Sequence, residues 1–341
     1  MKLSTPRWWY VRERDRSSMP MTRALLTPIS WIWTVVTARR IARTEACEPG
    51  APVICVGNIT MGGTGKTPVA REILARLRRS GVDAHGLSRG YGGRLTGPVR
   101  VDPAQHTAAD VGDEPLMMAQ DGSPIWIARD RALGACAAVQ AGAAAIVMDD
   151  GHQNPSLAKR LSLIVVDGET REGEWPFGDG AVFPAGPLRE PLAAGLARAD
   201  AVVIMLPEDL AAPDRELLAL FGQTPVLVAR LKASSPPPPG PQVAFAGVGK
   251  PWKVERALRA AGCELADFVA LPDHFAYDAG TLARLAARAE DFGAGLVTTE
   301  KDWARLPPDW RSRVAAWPVQ AQFEDEAALD ALLSRAIGQP L

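Results

Sequence analysis

The sequence predicts an α/β protein: a doubly wound parallel sheet, a second, smaller α/β unit and an N-terminal amphipathic helix. Three observations carry that expectation. Short apolar runs at 82–88, 124–128, 144–149, 161–167, 200–206 and 225–231 alternate with helical stretches, the order that builds a parallel sheet covered on both faces. A Ser-Ser-Pro-Pro-Pro-Pro-Gly-Pro segment at 234–241 interrupts the chain as a stiff linker. Beyond it, strand Val243–Ala246, helix Pro251–Ala261, a short run to His274, helix Ala279–Asp291 and strand Leu296–Thr299 read as a further unit. The expected organisation is therefore an arm (1–50), a core (51–231) and a smaller C-terminal unit (232–341). With 341 residues, 47% of them hydrophobic and 23% charged, the chain has material for a large buried core and no signature of bulk disorder.

The arm is basic and rich in tryptophan. Lys2, Arg7, Arg12, Arg14, Arg16, Arg23, Arg39, Arg40 and Arg43 face only Glu13, Asp15, Glu45 and Glu48, and four of the ten tryptophans (Trp8, Trp9, Trp31, Trp33) lie there. The whole chain carries −1, so no global field favours nucleic acid, and the basic end suits an anionic membrane surface. Between Arg23 and Arg39 run fifteen uncharged residues. As a helix they rise roughly 22 Å, short of the ~30 Å hydrocarbon core. Leu25, Ile29, Ile32 and Val36 recur on one helical face, which reads as an interfacial helix with Pro28 in or near its first turn. A cleaved signal peptide, or a helix packed on the protein's own body, are the other readings of the same run.

Residues 52–60 read as a buried strand, and Met61-Gly62-Gly63-Thr64-Gly65-Lys66-Thr67-Pro68 follows, then an amphipathic stretch to Arg79. Strand, glycine-rich loop and helix in that order make a P-loop, so the core is expected to be of the P-loop NTPase type. Thr60, Met61, Gly62, Gly63, Thr64, Gly65, Lys66 and Thr67 are expected to wrap the phosphates of ATP, with Lys66 on the β/γ-phosphates and the Thr67 hydroxyl on Mg²⁺. The usual pattern has glycine where Thr60 stands. Met61 replaces the extra lysine of dimerising partition ATPases, and no Asn-Lys-x-Asp occurs, so an ATP-using enzyme is favoured. A membrane-associated regulatory P-loop ATPase is the alternative.

The strand ending at Met148 delivers Asp149 and Asp150 to the carboxyl edge of the sheet, where one of them can hold Mg²⁺; Asp-Asp-Gly is also ordinary turn chemistry. Asp113, before an apolar helical run, reads by itself as a helix N-cap, and His274 as a structural histidine. Cys47, Cys55, Cys136 and Cys263 show no C-x-x-C spacing and read as buried, inert thiols.

Several segments together resemble the tetraacyldisaccharide 4′-kinase family: Val56–Thr60 with Met61–Pro68, Leu87–Gly92, Gly112–Pro115, Asp149–Gln153, Pro184–Glu190, Pro272–His274 and Thr298–Asp302. The sequence departs from the family's usual pattern at His152, commonly an aromatic, and at Phe275, commonly a second histidine or similar residue. The resemblance implies phosphorylation of a lipid A disaccharide precursor at the cytoplasmic face of the bacterial inner membrane, by a peripheral protein without an obligate protein partner. It implies that Asp113 is the general base on the sugar hydroxyl, oriented by His274, while Lys66 and Mg²⁺ neutralise the phosphoryl group. It also implies that Arg89, Tyr91 and Arg189 lie near acceptor or nucleotide. Pairing of Val226–Leu231 with Val319–Phe323 would tie the two units together and let Asp113 and His274 meet across a cleft that closes on ATP.

Overall fold

The computed structural model describes residues 6–12, 19–171 and 173–341. Among the described residues thirteen strands form two sheets: β1 (Val53–Gly57), β2 (Ala84–Ser88), β3 (Val99–Arg100), β4 (Ile125–Ile127), β5 (Ala145–Asp149), β6 (Leu161–Asp167), β7 (Ala201–Leu206), β8 (Val226–Ala233), β9 (Gln242–Ala246), β10 (Leu265–Ala270), β11 (Gly295–Thr299), β12 (Val314–Trp317) and β13 (Val319–Phe323). The first sheet runs β13-β8-β7-β6-β1-β5-β2-β4-β3 and the second β10-β9-β11-β12. Among these strands, antiparallel pairing is confined to the two edges of the first sheet, β13 on β8 and β3 on β4. Every residue of β1, β5, β6 and β7 is buried, as strands covered by helices on both faces must be. This central block, with β1 between β5 and β6, is the platform for the site.

β1 is shorter than the 52–60 run. Asn58 leaves the sheet, and Thr60 instead bridges to Leu188. The backbone is needed there to turn into the glycine-rich loop rather than to extend the ladder. The second sheet sits on its own apolar cluster, which includes Phe245, Leu282, Leu285, Leu296 and Val314. The chain crosses between sheets twice, through 234–241 and again at Pro318. The crossings lie side by side: Ser234 N–H donates to the Pro318 carbonyl (2.9 Å) and Trp317 Nε1–H to the Ser235 carbonyl (3.2 Å). After the second crossing, β13 pairs with β8 in the register Val319↔Ala233 to Phe323↔Ala229. The Glu326–Ile337 helix then buries Leu329, Leu332, Leu333 and Ala336 against the first sheet. The last stretch of chain thus packs on the core, not on the second sheet.

The arm differs from its expectation in two respects. Trp9 and Tyr10 are buried, and the Trp175 N–H donates to the Tyr10 carbonyl (2.6 Å), so this part of the arm is core. The helix spans Pro20–Arg43, with Pro20 at its first position and Pro28 in its interior. Pro20 has the fixed φ and missing N–H that suit a helix start, whereas Pro28 lies in the interior, where its missing N–H leaves the Ala24 carbonyl without its helical donor. Lys2, Arg14 and Arg16, three of the arm's cations, lie outside the described residues. Among the described residues no helix is long and apolar enough to cross a membrane. Cys55 and Cys263 are buried as expected, but Cys47 and Cys136 are only half-buried.

Candidate active site

The glycine-rich loop leaves the carboxyl end of β1 and turns into the Lys66–Arg79 helix at Gly65, whose φ is 88°. Glycine alone adopts that backbone without strain, and a Cβ there would also press on the Met205 side chain at 3.0 Å. The turn points the helix's unpaired N–H groups at the loop, a ready anion site. Asn58 Nδ2 ties the loop to β1 by donating to Thr64 Oγ1 (3.3 Å). Lys66 Nζ lies 3.6 Å from Asp150 Oδ1, and the Thr67 hydroxyl donates to Asp149 Oδ2 (3.2 Å).

The adjacent aspartates have different surroundings. Asp149 ends β5 and is buried; burial, then the negative charge of Glu114, pushes its carboxyl up to about 7 against the pull of Lys66. Its Oδ1 is buried with no hydrogen-bond partner among the described residues. An orphaned carboxylate oxygen beside a threonine hydroxyl is the hard-oxygen donor set that Mg²⁺ takes, so Thr67 and Asp149 fit the ion. Asp150 turns away on a left-handed backbone (φ 53°). Burial alone would raise its carboxyl, but Lys66 and Arg189 hold it well below the usual carboxylate range. Arg189 Nη1 contacts Asp150 Oδ1 at 2.7 Å while its Nε donates to the Thr60 carbonyl (3.0 Å). Arg189 thus clamps the start of the loop to the carboxyl end of β5.

Asp113 and His274 come from different sheets and meet. Gly112, at φ 93°, is the N-cap of the Asp113–Gln120 helix, so Asp113 is its first helical residue rather than its cap. His274 follows β10 on a left-handed backbone (φ 55°), and its Nδ1 lies 2.9 Å from Asp113 Oδ2. Burial would raise the Asp113 carboxyl, but the His274 hydrogen bond and the charges of Lys301 and Arg305 keep it well below the usual carboxylate range. Asp113 Oδ1 accepts the Glu114 N–H (2.9 Å). Exposed Tyr91 sets its ring 5.5 Å from that of His274.

Ion pairs seat the second sheet on both sides of this contact. Lys301 reaches Glu114 (3.1 Å), Arg305 Nε lies 3.2 Å from Asp113 Oδ2, and Arg71 on the P-loop helix grips Glu300 (2.8 Å). On the far side Lys250 and Lys253 meet Asp167 at the end of β6 (2.9 and 2.6 Å). Fully buried Asp302 accepts from Gly247 N–H and the Tyr277 hydroxyl, which fixes the loop bearing Arg305.

The model of the tetraacyldisaccharide-1-P 4′-kinase family matches residues 22–338. The chain belongs to that family. It is 70% identical over 333 residues to the tetraacyldisaccharide 4′-kinase of Phenylobacterium zucineum (strain HLK1), covering 98% of this chain and 99% of the relative. Identity is 68% to that of Caulobacter vibrioides (strain NA1000 / CB15N), with 98% of each chain covered. The crystal structure of LpxK from Aquifex aeolicus in complex with ATP shares the fold at a TM-score of 0.73 and 24% identity, covering 93% of this chain and all of that one.

In this 4′-kinase family member the structure gathers most of the sequence-predicted site residues on the carboxyl edge of the first sheet. Lys66, Thr67, Asp149, Asp150 and Arg189 are linked directly, and Asp113, His274 and Tyr91 form a second group. Arg89 is exposed and makes no ion pair among the described residues. The two departures from the family pattern are structural. His152 is buried between Ser162 Oγ (3.0 Å) and the Gly195 carbonyl (3.0 Å), with burial lowering its pKa to about 4. Phe275 packs edge-on against Tyr277. Sequence reasoning missed Lys301 and Arg305: Lys301 lay in a family segment without a role, and nothing in the sequence marked Arg305.

Proposed function

We propose that this family member transfers the γ-phosphoryl group of ATP to the 4′-hydroxyl of a tetraacyldisaccharide 1-phosphate, a lipid A precursor, at the cytoplasmic face of the inner membrane. The observation that carries this reading is the Asp113–His274 hydrogen bond beside the P-loop. An attacking alcohol must lose its proton, and an aspartate oriented by histidine is a group that accepts it in the transition state. A regulatory ATPase needs no such pair. Asp113 Oδ2 is engaged by His274 and Arg305, so Oδ1, which among the described residues has only the Glu114 N–H, is the oxygen for the acceptor hydroxyl.

Lys66 and the helix N-terminus hold the β/γ-phosphates, and Asp150 with Arg189 keeps Lys66 and the start of the loop in place. Thr67 and Asp149 would hold Mg²⁺, which would supply charge neutralisation for the transferred phosphoryl group. Closure of the second sheet's unit on the first, hinged at the paired crossings 234–241 and Pro318, excludes water from the transfer. The membrane reading is supported by the Pro20–Arg43 helix, whose Met21, Leu25, Ile29, Trp31, Ile32 and Val36 are exposed on an otherwise well-covered protein.

The test is transfer of label from γ-labelled ATP to purified tetraacyldisaccharide 1-phosphate in detergent with Mg²⁺. Labelled lipid is expected, and Asp113→Asn is expected to lower kcat by about 10²- to 10⁴-fold with ATP affinity little changed. Hydrolysis of ATP without labelled lipid favours the regulatory ATPase instead.

A further inference from the structure

Arg131 opens the Arg131–Gln140 helix, just past the carboxyl end of β4, and is only 4% exposed. A guanidinium that deep ordinarily has a carboxylate partner, because an unpaired buried charge is costly. Other enclosed arginines here obey the rule: Arg23 pairs with Asp179, Arg76 with Asp330, Arg305 with Asp302. Arg131 has no carboxylate within ion-pair distance among the described residues. Its Nη1 donates to the Ala128 carbonyl (2.5 Å), and its Nε is buried with no hydrogen-bond partner among the described residues.

The topology brings a second guanidinium beside it. β2 lies between β4 and β5, and the Ala128 N–H donates to the Ser88 carbonyl (3.1 Å), so Arg89 leaves β2 next to the segment that carries Arg131. β5 ends in Asp149 one strand further on. Burial and the charge of Arg89 lower the Arg131 pKa to about 10, with Asp150 and Asp149 acting on it in the opposite sense through space. Two cations lie at the carboxyl edge of the sheet, on the side of Asp149 and Asp150, and neither has an ion-pair partner among the described residues.

We propose that Arg131, together with Arg89, binds a phosphate monoester dianion at the active site. This deepens the kinase reading and rests on it. A dianion gives the buried Nε its missing acceptor and offsets the repulsion between the two guanidiniums, which suit bidentate phosphate contact. Two phosphates of that chemistry enter the reaction: the γ-phosphoryl group of the nucleotide and the phosphate the acceptor already carries.

The experiment compares Arg131→Gln and Arg131→Lys with the wild-type full chain by thermal unfolding and steady-state kinetics. Removal of an unpaired buried cation is expected to leave Tm without ligand unchanged or raised in Arg131→Gln, while kcat/KM falls about 10- to 100-fold. A raised KM for ATP with a smaller Tm rise on adding Mg-ATP, or a lowered kcat alone, assigns the site to the γ-phosphoryl group. A raised KM for the acceptor, with the Mg-ATP shift intact, assigns it to the acceptor's phosphate. Wild-type kinetics in both variants overturns the proposal, as does a lowered Tm in Arg131→Gln with kinetics unchanged. Should Arg131→Gln not fold, Arg131→Lys decides by the same kinetic criteria. If wild-type protein leaves the lipid unlabelled, the kinase reading fails on its own. The Mg-ATP thermal shift of the variants then still judges Arg131, and a shift equal to wild type removes it.

Discussion

Two helices of this chain obey opposite rules. The Lys66–Arg79 helix buries Val69, Ala70, Ile73, Leu74 and Leu77 and turns Arg78 and Arg79 to water, as an amphipathic helix on a core does. The Pro20–Arg43 helix is inside out. Its buried residues are Arg23, Ser30 and Thr37, one every seventh position, while Leu25, Ile29, Ile32 and Val36 are exposed. Polar bonds accompany the edge-on packing of Trp33 against Phe183 (4.9 Å) beneath it. Arg23 pairs with Asp179; the Ser30 hydroxyl donates to the Val182 carbonyl (2.8 Å) and accepts the Ala185 N–H (3.1 Å); Trp33 Nε1–H donates to the Arg189 carbonyl (2.9 Å). The same apolar periodicity thus identifies a core face in one helix and an outward face in the other. The surface beneath the arm helix offers backbone polar groups and Asp179 to its buried Arg23 and Ser30, and that decides which face turns in.

That contact also links the arm to chemistry, because Arg189 holds Asp150 and the Thr60 carbonyl. The Pro20–Arg43 helix therefore seats directly on a residue that holds the glycine-rich loop.

Substitutions in the two helices sharpen the contrast. The largest effect is expected from Lys66→Ala at the start of the inward helix, which should lower kcat about 10²- to 10³-fold in the label-transfer assay with the fold intact. Leu74→Ala on its buried face should cost about 2–5 kcal/mol of stability in urea unfolding. A smaller loss would mean that the face is packed less tightly than its burial indicates. Ser30→Ala beneath the arm helix should cost about 1–3 kcal/mol, because the Ala185 N–H loses its acceptor. Ile32→Ser on the outward face should change stability by no more than about 0.5 kcal/mol. Sedimentation with anionic vesicles should nevertheless weaken clearly in that variant. Equal pelleting of Ile32→Ser and wild type would break the contrast and return the helix to a purely structural role.

The phosphate side of the site was legible because its chemistry is local. A strand, three closely spaced glycines and Lys66-Thr67 fix one another within a few residues, and the strand that ends at Asp149 is continuous in sequence. The pairing of β8 with β13 was legible from two alternating runs. The helix bounds around Pro28 were not, since a proline suits a first turn and is tolerated further in when neighbouring groups satisfy the freed carbonyl. Trp9 and Tyr10 looked like arm residues because composition does not tell a tryptophan that meets lipid from one that fills a core.

The sequence by itself determined the P-loop, the order of strands and helices, and the family to which the chain belongs. These depend on residues close in sequence, or on a series of motifs read in order. The tertiary structure alone decided that Asp150 pairs with Arg189, that Arg305 shares Asp113 with His274, and that, among the described residues, Asp149 keeps an unpaired oxygen beside Thr67 and Arg131 is buried without a counter-ion. Charge partners and burial are set by which chain segments the sheets bring together, and segments far apart in sequence leave no local trace of that meeting.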